Sequence, residues 1–239
     1  MAGAKFYPIY MKLKERIKNG EYEEMLPTES VLTQEFNTSR NTIRRAILML
    51  KEEGLVYSVK GRGVLILETI ADDRWDFDAG GFNGLEAIEQ ANQMETETKV
   101  LCLKKIIIDE KLQGKVPFTT GEILYQVERL RILNGDPLML DISYFRFDQV
   151  PILTKSIAEK SIYQYLKDQD VHIAAAKRRF LVTKADEKDM EYLDLGTNNC
   201  VGVMENLVFN DMGRLFEYTQ SRFVPDRFSL TYFAQNADL

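Results

Sequence analysis

Ser39-Arg40-Asn41-Thr42-Ile43-Arg44-Arg45-Ala46-Ile47-Leu48-Met49-Leu50-Lys51-Glu52-Glu53-Gly54 is the stretch on which the reading of this chain turns. Ile43, Ala46, Ile47 and Leu50 recur at helical spacing and predict a helix that buries one side. Thr38 or Ser39 is placed to cap its first turn, and Gly54 to close it. Its other side carries Arg40, Asn41 and Arg44, with the two arginines one helical turn apart. Upstream, Thr28 is a plausible cap for a helix carrying Leu32 and Phe36, which Asn37 ends. Only a few residues separate the two helices, the spacing of a helix-turn-helix. Further upstream, Pro8 stands near the start of a helix with Tyr10, Leu13 and Ile17, closed by Asn19-Gly20. Downstream, the apolar runs 55–59 and 64–67 flank Lys60-Gly61-Arg62-Gly63 and predict a glycine-turned hairpin, a wing.

A recognition helix in the major groove needs this layout. Guanidinium forks near its N-terminal half reach guanine edges or phosphate oxygens. Asn41 suits an adenine edge and Thr42 a phosphate. Gly61 allows backbone to approach a duplex, with Lys60 and Arg62 supplying charge. The alternative is a solvated basic helix beside an ordinary hairpin.

Charge distribution favours the first reading. The chain has 239 residues and a net charge of −6, yet residues 1–68 hold 11 basic and 9 acidic side chains. Asn37 to Arg62 alone carries six basic against two acidic residues. A basic head on an acidic body predicts that only the head meets a polyanion. One histidine and two cysteines leave no material for a usual metal cluster or a disulfide framework, so no cofactor or metal is expected. No apolar run is long enough to span a bilayer, and the first ten residues lack the apolar centre of a secretory signal. The expectation is a cytoplasmic protein with no membrane partner.

Residues 69–79 read as a linker, and 82–93 as a short helix at the edge of a second domain. From Lys99 onward β-patterned runs dominate, at 99–109, 121–133, 137–147, 171–184, 200–210, 213–224 and 228–234. Asn134-Gly135-Asp136-Pro137 and Asn210-Asp211-Met212-Gly213 read as hairpin turns. Ser161 and Asp186 begin two interrupting helices. Long antiparallel strands with a few helices mean an α+β fold.

Along 121–133, Ile123, Tyr125, Val127, Arg129, Arg131 and Leu133 share one face. Two arginines on an apolar face require an anion. Asp141, between Met139 and Ser143, and Glu217, between Leu215 and Thr219, would supply it in an internal salt-bridge network. In the other reading the guanidiniums hold a ligand phosphate and the carboxylates hold sugar hydroxyls, with Ser161 adding a hydroxyl at a helix start. A third reading makes Asp141 and Glu217 the acid pair of a glycosidase. Cys102 and Cys200 read as core residues on strands, His172 as a strand-edge or loop residue, Trp75 as a packing anchor, and Lys177-Arg178-Arg179 as a solvated strand surface.

Leu26-Pro27-Thr28-Glu29-Ser30, Ser39 through Ala46, Leu50-Lys51-Glu52-Glu53-Gly54-Leu55 and Gly61-Arg62-Gly63 together resemble the GntR-type winged helix of bacterial regulators. The resemblance covers about the first 68 residues and implies DNA contacts at Arg40, Asn41, Thr42, Arg44 and Gly61. Ser30 stands where many members carry an arginine that touches DNA. Residues 99–235 resemble the UTRA effector domain of the HutC subfamily, a chorismate-lyase-like antiparallel sheet with helices. Val127 through Arg131, Leu140 through Tyr144, Lys160 through Tyr163 and Phe216 through Arg222 carry that likeness. Val150 through Ile157 and Leu215 through Phe228 further resemble the trehalose operon repressors of Gram-positive bacteria. The resemblance implies a repressor, not an enzyme, released from operator DNA by a sugar phosphate, trehalose 6-phosphate before others such as an amino sugar phosphate. It places Asn83, Gly84 and Leu85 at the phosphate, with Arg129, Arg131, Asp141, Ser161, Glu217 and Ser221 also on the effector. The expected organisation is a DNA-binding domain at 1–68, a linker at 69–79 and an effector-binding and dimerisation domain at 80–239. A homodimer is expected because a two-fold operator needs two heads.

Overall fold

The computed structural model describes residues 5–68, 75–76, 95–231 and 233–234, with backbone alone at 75–76. The chain divides into two compact units, Met1–Asp72 with Thr231–Leu239, and Asp73–Leu230.

The first unit contains α1 (Phe6–Lys18), α2 (Glu29–Glu35), α3 (Arg40–Glu52), β1 (Val56–Val59) and β2 (Gly63–Ile66). Pro8 sits in the first turn of α1, where its missing N–H costs nothing. Thr28 caps α2 by accepting from the Val31 N–H, and Ser39 caps α3 by accepting from the Thr42 N–H. Between the helices Asn37 takes a left-handed φ of 44°, a conformation that asparagine tolerates better than most residues. Leu13, Leu32, Ile43, Leu50 and Val56 have no exposed surface and form the centre of this core. Burial of each such aliphatic side chain stabilises by roughly 1.5–3 kcal/mol. Gly54 ends α3 with φ 71°, and a Cβ there would lie 2.7 Å from the Phe233 ring. Strands β1 and β2 pair antiparallel across the turn, and residues 24–26 bond to β2 through Leu26 N–H to Val64 O (2.9 Å) and Ile66 N–H to Glu24 O (2.8 Å).

The second unit holds a short parallel pairing of β3 (Trp75–Asp76) with β10 (Phe228–Ser229) and a six-stranded antiparallel sheet. The sheet strands are β4 (Thr96–Ile107), β5 (Ile123–Leu133), β6 (Asp136–Arg146), β7 (Ile173–Lys184), β8 (Cys200–Asn210) and β9 (Leu215–Phe223). Their order across the sheet is β4-β5-β6-β9-β8-β7. Asn134 (φ 49°) and Gly135 (φ 90°) turn β5 into β6, as a two-residue hairpin loop requires. A register irregularity beside Ile132 accommodates Pro137 within β6. Remaining elements are α4 (Glu110–Gln113), α5 (Lys155–Ala158), α6 (Ile162–Asp168), α7 (Glu187–Tyr192) and a 3-10 turn at Pro225–Arg227. Ile162 and Leu166 of α6 pack with Val127, Phe145 and Val208. Ile108, Val116 and Phe118 pack with Leu124, Tyr144 and Tyr218. Alternation along the strands sends Val127 and Phe145 to one face and Tyr144 and Tyr218 to the other.

Several expectations change. Among the described residues of the run 228–234, only Phe228–Ser229 is a strand, and it pairs with Trp75–Asp76 inside the stretch read as linker. The one-turn helices α4 and α5 were not expected; four residues are too few to show a period, although Asp109 and Thr154 cap them visibly. The helix expected at 82–93 and the Trp75 side chain lie outside the described residues.

Candidate functional site

Two surfaces match the expected chemistry, one in each unit. In the first, α3 turns Ile43, Ala46, Ile47 and Leu50 inward, and Arg40, Asn41 and Arg44 are exposed. Thr42 is half-buried, its hydroxyl 2.8 Å from that of Ser39. Lys60, Gly61 and Arg62 are all exposed at the tip of the wing, where Arg62 N–H closes the turn on Val59 O (3.1 Å). Gly61 has φ 79° and open space where a Cβ would be. Arg45, not singled out from sequence, lies over the Phe6 ring at 4.4 Å, which ties α3 to α1. The exposed side of α3 therefore presents donors that the head itself does not bury.

The second surface is buried. Register aligns Arg129 with Asp141, Asp141 with Ser221, and Ser221 with Met204 across β5, β6, β9 and β8. A neighbouring row aligns Val127, Ser143, Thr219 and Asn206, and continues to Arg178 on β7. All of these point to the face covered by α6. Asp141 is 5% exposed and accepts from Arg131 Nε (2.9 Å) and Ser221 Oγ (2.6 Å), with an Arg129 nitrogen at 3.6 Å. Arg131 also donates to the Thr98 hydroxyl at 2.6 Å. The two arginines hold the Asp141 carboxyl below its ordinary range although burial opposes them.

Glu217 stands apart from that cluster. It is 3% exposed and no ion pair holds it among the described residues. Ser143 and Thr219 hydroxyls lie 2.9 Å apart, and Thr219 donates to Glu217 Oε1 at 2.7 Å. Burial raises the Glu217 carboxyl to about 7, against the pull of Thr219, Tyr163 and the Arg129 charge. Burial and the Arg131 charge lower Arg129 to about 10. On this face Arg129 Nε, Asn206 Oδ1 and Glu217 Oε2 are buried with no hydrogen-bond partner among the described residues. Tyr163 of α6 accepts from Asn206 Nδ2 at 3.3 Å, so the helix closes over the polar rows.

The opposite face is a control within the same sheet. There Arg222 is held by Asp189, Glu128 by Lys188 (2.7 Å), and Glu205 by Arg179 and the Tyr218 hydroxyl (2.9 Å). Its buried charges are mutually paired; on the α6 face Asp141 takes both arginines, and Glu217 has no ion pair among the described residues.

The expected residues thus separate. Arg129, Arg131, Asp141, Ser221 and Glu217 share one buried face. Ser161 is exposed and uses its Oγ to cap α6 by accepting from the Gln164 N–H (3.2 Å). Asn83, Gly84 and Leu85 lie outside the described residues. The internal-network reading holds for both arginines with Asp141 and fails for Glu217. Asn206 and Tyr163 were missed as site residues; Asn206 shares a strand face with Met204 and Val208, a parity that strand boundaries alone would expose. Arg178 is half-buried on this face rather than solvated, because it alternates with Lys177 and Arg179, which are exposed. His172 is exposed just before β7, and Cys102 and Cys200 are half-buried on β4 and β8. Among the described residues no group of acidic, histidine or cysteine side chains is placed to hold a metal, and no helix is long and apolar enough to cross a membrane.

Comparison with known proteins agrees with this two-unit fold. Residues 8–66 match the model of bacterial regulatory proteins of the gntR family, and residues 91–229 match the UTRA domain. The HTH-type transcriptional regulator TreR of Bacillus subtilis (strain 168) is 32% identical, with 97% of each chain covered. The mannosyl-D-glycerate transport/metabolism system repressor MngR of Escherichia coli (strain K12) is 25% identical over 95% of this chain and 96% of its own. The effector-binding domain of the B. subtilis trehalose repressor superposes with a TM-score of 0.54 at 31% identity, covering 59% of this chain and 99% of that one. Over the full length, the crystal structure of YydK from B. subtilis subsp. subtilis str. 168 gives a TM-score of 0.75, covering 97% and 99% of the two chains; at 20% identity this likeness shows the fold alone. With a winged helix-turn-helix followed by a UTRA domain, this chain belongs to the GntR family of bacterial transcription regulators, in its HutC-like branch.

Proposed function

We propose that this protein is a repressor that binds operator DNA as a homodimer and is released by a sugar phosphate, trehalose 6-phosphate in the first instance. The observation that carries the reading is the buried face where Arg129 Nε, Asn206 Oδ1 and Glu217 Oε2 lack partners. A buried polar atom without a partner costs about 1–3 kcal/mol, which a polar ligand recovers on binding. Arg129 has spare donors for an anion, while Glu217 and Asn206 offer oxygens to hydroxyls. Similarity to a repressor named for trehalose supports the choice of sugar. Residues 1–68 are the DNA-binding domain, with Arg40, Asn41, Thr42 and Arg44 on bases and phosphates and Lys60, Gly61 and Arg62 on the backbone. Residues 69–79 are the linker, and 80–239 bind effector through Arg129, Arg131, Asp141, Glu217, Ser221, Ser161 and Asn83-Gly84-Leu85, and dimerise. An acid-pair enzyme is disfavoured because the relatives compared are named as regulators.

A second reading, another anionic sugar effector, is favoured by the likeness to a repressor named for mannosyl-D-glycerate, whose acid group also suits a guanidinium. Calorimetry with trehalose 6-phosphate, trehalose, inorganic phosphate and mannosyl-D-glycerate distinguishes the two. Tight binding of the first alone is expected; binding of mannosyl-D-glycerate alone would transfer the assignment. At 100 Kd the effector should add about 2.7 kcal/mol to stability.

A further inference from the structure

We propose that Glu29 is a positioning residue for base reading: its carboxylate holds Arg44 by Nε and aims the remaining fork at DNA. Glu29 opens α2 and Arg44 lies on the exposed side of α3. Arg44 Nε donates to Glu29 Oε1 at 3.0 Å and Oε2 at 2.9 Å. Neither Arg44 terminal nitrogen is engaged among the described residues, so both remain for a guanine edge or phosphates.

Stability does not account for the pair. The two side chains are 63% and 36% exposed, and a solvated bridge of this kind is worth about 0–1 kcal/mol. A carboxylate beside a duplex also repels phosphate, which makes Glu29 unfavourable for binding DNA of any sequence. Its gain is orientation. A free arginine carries about 2 kcal/mol of rotamer entropy, and fixing Nε removes part of that loss before DNA arrives. The proposal rests on the DNA-reading role given above to Arg44.

The test uses the full-length protein and a duplex that it selects from a randomised library, beside an unrelated duplex. Affinities are measured for wild type, Glu29→Ala, Glu29→Gln, Arg44→Ala and the Glu29→Ala/Arg44→Ala double variant. Glu29→Ala should lower affinity for the selected duplex about 3–10-fold, a fraction of what one bidentate base contact supplies. It should leave the unrelated duplex bound as well or better, and leave the melting temperature in place. Glu29→Gln, which keeps the acceptor without the charge, should fall between. In the Arg44→Ala background Glu29→Ala should cause no further loss of affinity, and relief of the phosphate repulsion should if anything raise it, since the orienting effect acts through Arg44 alone. An unchanged preference for the selected duplex in Glu29→Ala, or an equal loss in both backgrounds, would overturn the proposal while leaving the assignment of Arg44 intact. An Arg44→Ala variant with wild-type preference would overturn the assignment itself and the proposal with it.

Discussion

The head keeps its working charges in water, and the body buries them. Arg40 and Arg44 are exposed on α3, whereas Arg129 and Arg131 are 7% and 8% exposed within the sheet. The difference follows from the partners. A duplex is larger than the head and must be met by donors that stand out from it, paid for only in screened surface charge. A small effector gains little from a wet surface, so its donors must already be stripped of water, and each buried charge then needs a neighbour. The body meets that need unevenly. Arg131 is committed to Asp141 and Thr98, and Arg129 is left with a long contact and an idle Nε. Sequence placed the two arginines as equals; the register gives Arg131 two close partners and Arg129 one long one among the described residues.

The largest test of the contrast is Arg131→Ala. It leaves the buried Asp141 with one arginine at 3.6 Å, and should cost about 3–5 kcal/mol of folding stability in denaturant titration. A loss below about 1 kcal/mol would mean that the face is wetter than its burial indicates.

Next comes Glu217, whose raised value has a definite sign. Burial favours its neutral form in the folded state, so its contribution to stability is full below about pH 4.5 and is lost as pH rises through about 7. Glu217→Gln should abolish that part of the slope in melts between pH 5 and 8 while weakening effector binding in calorimetry. An unchanged slope would show that Glu217 ionises in the fold as it does in water. Wild-type effector affinity in this variant would remove Glu217 from the site.

In the head the effects are smaller and fall on binding alone. Arg44→Ala should cost about 1–3 kcal/mol of affinity for the selected duplex with no change in melting temperature. Lys60→Ala should weaken all duplexes evenly and lessen the salt slope by about one ion. Sequence-selective loss from Lys60→Ala would move the wing from phosphate to bases.

Legibility differed between the regions for the same physical reason. The head is local: the caps Thr28 and Ser39, the turn at Asn37, the stripe Ile43-Ala46-Ile47-Leu50 and the wing around Gly61 each act within one or two turns of chain, and sequence shows them directly. The body's site is assembled from four strands and a helix. Alternation placed Arg129 with Arg131, and Glu217 with Thr219, without indicating what lay across from them. Asn206 entered because β8 lies beside β9, and Tyr163 because α6 crosses that face.

The amino-acid sequence by itself determined the order of elements, the charged head, the two-residue alternation and the family. Tertiary structure decided that Asp141 takes both arginines, that Glu217 has no ion pair among the described residues and is pushed by burial toward its neutral form, and that Glu29 holds Arg44 by Nε. Periodicity names the face on which a side chain stands, since it follows from backbone geometry alone. Pairing depends on register between strands and contact between helices distant in sequence, and those distances set which charges are satisfied.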